Sequence, residues 1–134
     1  MALSMEDLEF AFNLGKEHMI DKIFTKGALN ELVSQVEIWG KDRKITTNGN
    51  PMTQAIKTLE ETHELLEAIN RSDQNEIRDA IGDIIVTLIM QCKLQEITIE
   101  ECLFSAFQEI KDRKGELNEV GDFIKLDSFD SLPG

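Results

Sequence analysis

The segment Ile81 to Met90, IGDIIVTLIM, sets one aspartate, Asp83, where a helix would carry apolar side chains on nearly every side. A helix that is apolar almost all round belongs at the centre of a bundle, wrapped by other helices. The rest of the chain supplies them. Only two prolines, Pro51 and Pro133, occur in 134 residues, and apolar residues recur three and four apart through most of the sequence. The expected class is therefore all-α, a bundle of four to five helices in a single domain spanning residues 1–134, long enough to bury a core without staples. An ionised carboxylate in such a bundle is costly unless a cation or hydrogen-bond donors meet it. Asp83 needs a partner.

The first helix is expected from about Met5 to Met19, opened by Ser4 with Asp7 three residues later, and the second from about Ala28 to Lys41. DRKITTNGN then reads as a loop. Asn50 followed by Pro51 forms an N-cap and first-turn pair, and Met52, Ile56, Leu59, Leu66 and Ile69 trace the apolar side of a third helix ending near Arg71. RSDQN makes a short turn, so the fourth helix, from Asp73 or Gln74 to about Gln95, returns antiparallel to the third. Thr98 and Glu101 have the capping-box spacing and open a fifth helix, Ile99 to about Lys114, stopped by Gly115. Within the C-terminal tail only Asp122 to Leu126 alternates, as an arm, a strand or a lid would.

Twenty-six acidic residues against fourteen Lys and Arg give a formal charge of -12. That charge opposes binding to nucleic acid or to an anionic membrane, both of which need a cationic face. Partners should be cationic, or anionic with a metal as the bridge. Cys92 and Cys102 lie in apolar helical surroundings without CxxC spacing and read as reduced core thiols. The longest apolar run, Ile84 to Met90 broken by Thr87, is far short of the ~20 residues a membrane span requires. The start of the chain is acidic rather than a signal peptide, so the cytoplasm is the expected compartment.

Acids cluster on the third helix, where EETHELLE places Glu60, Glu61, Glu64 and Glu67 within eight residues. At about 100° per residue they span an arc of roughly 120°. Like charges this close oppose helix formation by ~0.2–0.5 kcal/mol per pair, and a solvated acidic face is the simplest account of them. On the fourth helix Glu76, Asp79 and Asp83 form a second stripe, within about 60° of arc. Carboxylates projecting from facing antiparallel helices are how bundles build sites for hard cations. An all-oxygen donor set favours magnesium or manganese over zinc, and this many carboxylates suits two or more ions. Such a cluster stabilises the attacking and leaving oxygens of a displacement at phosphorus. Lys57 shares the face of Glu61 and Glu64 and is a phosphate candidate, or simply an intrahelical partner of Glu61.

EETHE on one helix and GDIIVTL on the next together resemble the MazG-like all-α nucleoside triphosphate pyrophosphohydrolases, whose pattern is EExxE followed by ExxD at the head of an apolar run. The resemblance covers about Trp39 to Lys114. It implies hydrolysis of a nucleoside triphosphate, usually a deoxynucleotide, to the monophosphate and pyrophosphate with magnesium, in a homodimer or homotetramer. By position it implies Glu61 and Glu64 as the first metal-binding pair, Glu60 as the leading glutamate and Asp83 as the aspartate of ExxD. Lys111, Arg113 and Lys114 resemble the basic end of the family's last helix and become phosphate-clamp candidates. Glu60 or Glu61 is the candidate for orienting or deprotonating the attacking water. One position departs from the pattern: Ala80 stands where the glutamate of ExxD belongs, with Asp79 one place earlier. Either Asp79 substitutes, the favoured reading, or the register is Glu76 with Asp79 and Asp83 is an additional ligand.

KDRK occurs twice, at Lys41 to Lys44 and Lys111 to Lys114, each time at an expected helix end. Basic residues there complement the helix dipole, or clamp an anion. Trp39 could stack on a nucleobase or anchor packing. His63 is expected on the packing side of its helix. Related folds act on dUTP, dUDP or phosphoribosyl-ATP, and the gap at Ala80 also admits a helical oligomerisation or regulatory module without activity.

Overall fold

The computed structural model of the protein describes residues 5–6 and 26–126. Among them run five helices and a hairpin: α1 (Lys26–Asp42), α2 (Ile45–Asn48), α3 (Pro51–Asn70), α4 (Gln74–Leu94), α5 (Ile99–Ile110), β1 (Gly115–Leu117) and β2 (Phe123–Lys125). The fold is all-α with a small two-stranded appendage. The expected helix at Met5 to Met19 lies outside the described residues except for Met5 and Glu6, which are helical. The segment expected as a loop contains the short helix α2.

Helix starts follow the side chains that can satisfy free backbone N–H groups. Asn50 Oδ1 accepts from Met52 N at 2.8 Å and Thr53 N at 3.1 Å, and Pro51 occupies the first turn. Asp73 caps α4 through Glu76 N. Between them Ser72 adopts a left-handed φ of 54°, and Asp73 N donates to Ala68 O, closing α3 tightly enough for α4 to return against it.

The chain divides into two compact units, Met1–Ile97 and Thr98–Gly134. In the first, α3 and α4 form an antiparallel pair, and α1 and α2 pack on α4. A side chain at Gly40 would collide with Met90 Sδ, so glycine lets α1 approach closely enough to bury Met90. Lys93 and Glu37 pair at 3.7 Å across the same contact. Among the described residues the buried apolar ones are Ala28, Val33, Ala68, Ala80, Ile89, Met90 and Cys92.

The α3–α4 contact does not use the side of α3 that its apolar residues trace. Facing α4 are Gln54, Thr58, Glu61, Leu65 and Ala68, all at least half-buried, while Met52, Ile56, Leu59, Leu66 and Ile69 are exposed. His63 follows them outward, its side chain 72% exposed and 3.0 Å from Glu67, which corrects the expectation that it packs inside. The centre of α4 is similarly only part-covered, since Ile81, Ile85 and Leu88 remain exposed between its contacts with α1 and α3.

In the second unit Thr98 and Glu101 form the reciprocal capping box of α5. The helix ends at Ile110 rather than near Lys114, because Arg113 N turns back to Ile110 O and Lys114 O accepts from Leu126 N in the hairpin. β1 and β2 pair antiparallel, Gly115 opposite Lys125 and Leu117 opposite Phe123, so the alternating tail piece is a strand.

Candidate metal centre

Glu61 leaves α3 three residues after Thr58, on the flank that meets α4, and Asp83 leaves α4 four residues before Thr87 on the opposing flank. The antiparallel pairing sets them at one level. Glu64, one turn beyond Glu61, completes a group in which each residue offers a carboxylate oxygen within 4.8 Å of the others. Glu61 is half-buried; Glu64 and Asp83 are exposed. Asp83 therefore sits at the mouth of the seam between two helices rather than sealed within the apolar run, because α4 is open on that side.

Desolvation and the repulsion between neighbouring carboxylates make protons bind Glu61 and Asp83 more readily. Burial against the seam is the largest influence holding Glu61 above its ordinary 4.5, followed by a hydrogen bond shared with Glu64 and the charges of Glu64 and Asp83; nearby Lys57 pulls it back down. Asp83 is held above its ordinary 3.8 by desolvation, then by the charges of Asp79 and Glu64. Glu61 Oε2 is buried and has no hydrogen-bond partner among the described residues. Leaving such an oxygen unpaired costs about 1–3 kcal/mol or more, which a bound cation would recover. An all-carboxylate set with an orphaned inward oxygen fits a hard divalent ion.

The raised pKa values fix a sign for stability. The folded chain holds these protons more tightly than the unfolded chain, so stability falls as pH rises from the ordinary carboxyl range through the raised values. In chelator at pH 7, Glu61→Gln is expected to raise the melting temperature, and at pH 3 the gain should vanish because the glutamate is then protonated in both states. Thermal denaturation at the two pH values measures it; an equal gain at both would show that repulsion is not its source.

The other candidates are distributed unevenly. Asp79 is exposed and close enough to influence Asp83, but Glu76 pairs with Arg71 at 3.5 Å. Ala80 is buried against the core. Glu60 is exposed on α3, outside the group of three. Trp39 lies near the end of α1 with the Arg43 guanidinium 4.8 Å from its ring centroid, so one ring face is already occupied. Lys111 caps α5, while Arg113 and Lys114 lie beyond the helix and lead into β1, in the second unit, so they are not a helix end as expected.

Sequence reasoning missed the polar contacts between α3 and α4. Thr58 and Thr87 are 2.9 Å apart at their hydroxyls, Gln54 Nε2 reaches Thr87 O at 3.4 Å, and Gln91 Nε2 donates to Pro51 O at 2.9 Å. The available signal was Thr87 itself, a lone hydroxyl interrupting an apolar run.

Comparison with known proteins matches the description of the MazG nucleotide pyrophosphohydrolase domain to residues 50–118. An uncharacterized 18.2 kDa protein in the rep-hol intergenic region of Haemophilus phage HP1 (strain HP1c1) is 32% identical over 69 residues, 52% of this chain and 42% of that protein. The chain thus spans less than half the length of this curated relative. No solved structure matches it. Residues 50–118 hold α3, the turn, α4 and all three facing carboxylates, and they make up just over half of the sequence; the chain belongs to the MazG nucleotide pyrophosphohydrolase family.

Proposed function

We propose that the protein is a metal-dependent pyrophosphohydrolase that converts a (deoxy)nucleoside triphosphate to the monophosphate and pyrophosphate. The observation that carries this reading is the meeting of Glu61, Glu64 and Asp83 within 4.8 Å beside the unpartnered Glu61 Oε2. Glu61, Glu64 and Asp83, with Asp79 and Glu60 at the margin, would hold magnesium or manganese, in two or more ions. When bound, the metal supplies positive charge against the triphosphate and lowers the pKa of a water. Glu60 or Glu61 accepts the proton of the water that attacks the α-phosphorus. The bond from that phosphorus to the bridging oxygen breaks, and pyrophosphate leaves with the electron pair. Lys57 faces the phosphates from the same helix face, and the resemblance of Lys111, Arg113 and Lys114 to the basic end of the family's last helix supports them as phosphate clamps. Trp39 offers its free ring face to the base.

A cytoplasmic setting suits this substrate, and no helix among the described residues is long and apolar enough to cross a membrane. The exposed apolar faces of α3 and α4 support assembly as a homodimer or homotetramer. Incubation of the pure protein with the common (d)NTPs and magnesium, then manganese, should release monophosphate and pyrophosphate in equal amounts. Release of orthophosphate alone, or no turnover of any substrate, would remove the reading. Ala80, buried where the family pattern has a glutamate, favours a second one: a helical module that binds metal without turnover. Metal binding by calorimetry with no product separates the two.

A further inference from the structure

The seam between α3 and α4 carries a ladder of polar contacts that leads to the carboxylates one turn at a time. Gln91 reaches Pro51 O, Gln54 reaches Thr87 O, and Thr58 meets Thr87; the next level holds Glu61 and Asp83. The Thr87 hydroxyl donates to Ile84 O at 2.7 Å, which leaves its oxygen to accept from Thr58 at 2.9 Å. Thr87 is only 6% exposed, so this hydroxyl sits where an apolar side chain would pack equally well.

Replacing both partners of such a bond with apolar groups of the same shape is close to neutral for stability. What the bond adds is direction. Apolar contact is non-directional and lets one helix slide or roll on another, whereas paired hydroxyls hold one register. One residue of slip shifts a helix by about 1.5 Å and rotates its side chains by about 100°, enough to carry Asp83 out of the group with Glu61 and Glu64. The bond from Thr87 to a carbonyl three residues earlier also bends a helix locally. Here the accepting residue, Ile84, adjoins Asp83.

We propose that Thr58 and Thr87 are positioning residues for the carboxylate cluster, holding the register of α3 and α4 in which Glu61, Glu64 and Asp83 share a cation. The inference rests on the proposed metal-binding role of that cluster. Neither threonine touches the cation; each acts through the helix that presents a carboxylate.

Calorimetric titration with manganese at pH 7.5 tests it on the full chain, comparing wild type, Thr87→Val, Thr87→Ser and Asp83→Asn. Thr87→Val should lower manganese affinity about tenfold, at the low end of what outer partners of a metal site contribute. Its melting temperature in chelator should change little, because the Thr58 hydroxyl keeps Gln54 O at 3.3 Å as an acceptor, and Thr87→Ser should bind within about twofold of wild type. Thr58→Val removes the same bond while leaving the Thr87 to Ile84 contact in place, and should weaken binding alike even if Thr87→Val folds poorly. Wild-type affinity in both valine variants, or an equal loss in Thr87→Ser, would overturn the positioning role while leaving the metal site standing. Absence of manganese binding by the wild type would overturn the metal site itself, and the positioning role with it.

Discussion

Asp83→Asn is expected to lower turnover of a (deoxy)nucleoside triphosphate by about 10²- to 10⁴-fold and to remove measurable magnesium binding, while leaving the metal-free fold as stable as before or more so. The substitution preserves shape and removes one negative charge from a group whose carboxylate oxygens lie within 4.8 Å. A metal contributes several kcal/mol of charge stabilisation to displacement at phosphorus, and each 1.36 kcal/mol is a factor of ten. In chelator the same change removes the desolvation of a charged carboxylate and, with it, the repulsion from Asp79 and Glu64, which together hold Asp83 above its ordinary pKa. Binding and activity should therefore fall while the melting temperature does not, a divergence that a folding defect does not produce. Glu67→Gln is the control, because Glu67 pairs with His63 at 3.0 Å and stands outside the group of three. Should both variants bind magnesium as the wild type does, the acids of α3 and α4 are a solvated surface and nothing more.

The helices were legible in the sequence wherever a local chemical signal decided them. Asn50 with Pro51 and Thr98 with Glu101 are local statements about backbone N–H groups, and both caps form as expected, while Asp73, expected only at the start of its helix, caps it. The facing of Glu61 and Glu64 toward Asp83 was also legible, because a short turn and the helical period fix which residues of an antiparallel pair meet. Which side of α3 would be covered was not. Its apolar residues point away from α4, and the contact is made by Gln54, Thr58 and Glu61 beside Leu65 and Ala68. Apolar periodicity reports where water is to be excluded eventually, not which neighbour excludes it, so the pattern that points His63 inward leaves it exposed. The end of α5 was set by a non-local competitor: backbone groups past Ile110 are taken by the hairpin, a pairing that no window around Lys111 contains.

The uncovered side of α3 leads to the second large effect: Leu59→Glu with Leu66→Glu should convert the proposed homo-oligomer to a monomer and lower its melting temperature. Met52 is 71% exposed, Leu59 70% and Leu66 62%, with Ile56 between them, and on α4 Ile81, Ile85 and Leu88 are also open. Soluble monomers rarely show contiguous apolar patches beyond a few hundred Å². With so few apolar residues buried among the described residues of each chain, assembly and folding should be linked, so the wild-type melting temperature should rise with protein concentration. In a two-fold assembly each leucine is buried twice. At ~1.5–3 kcal/mol per leucine, the pair represents ~6–12 kcal/mol of association, before the cost of placing four carboxylates in the interface. Even the lower figure weakens association by more than about 10⁴-fold. Sedimentation equilibrium at micromolar concentration reads the outcome directly. A wild type that sediments as a monomer would assign the apolar face to some other partner, and a double variant that stays assembled would move the interface elsewhere. If the interface lies here, it also bears on the metal site, since Leu59 and Leu66 flank Glu61 and Glu64 on one rigid helix and the covering chain would brace the helix that presents two of the three carboxylates.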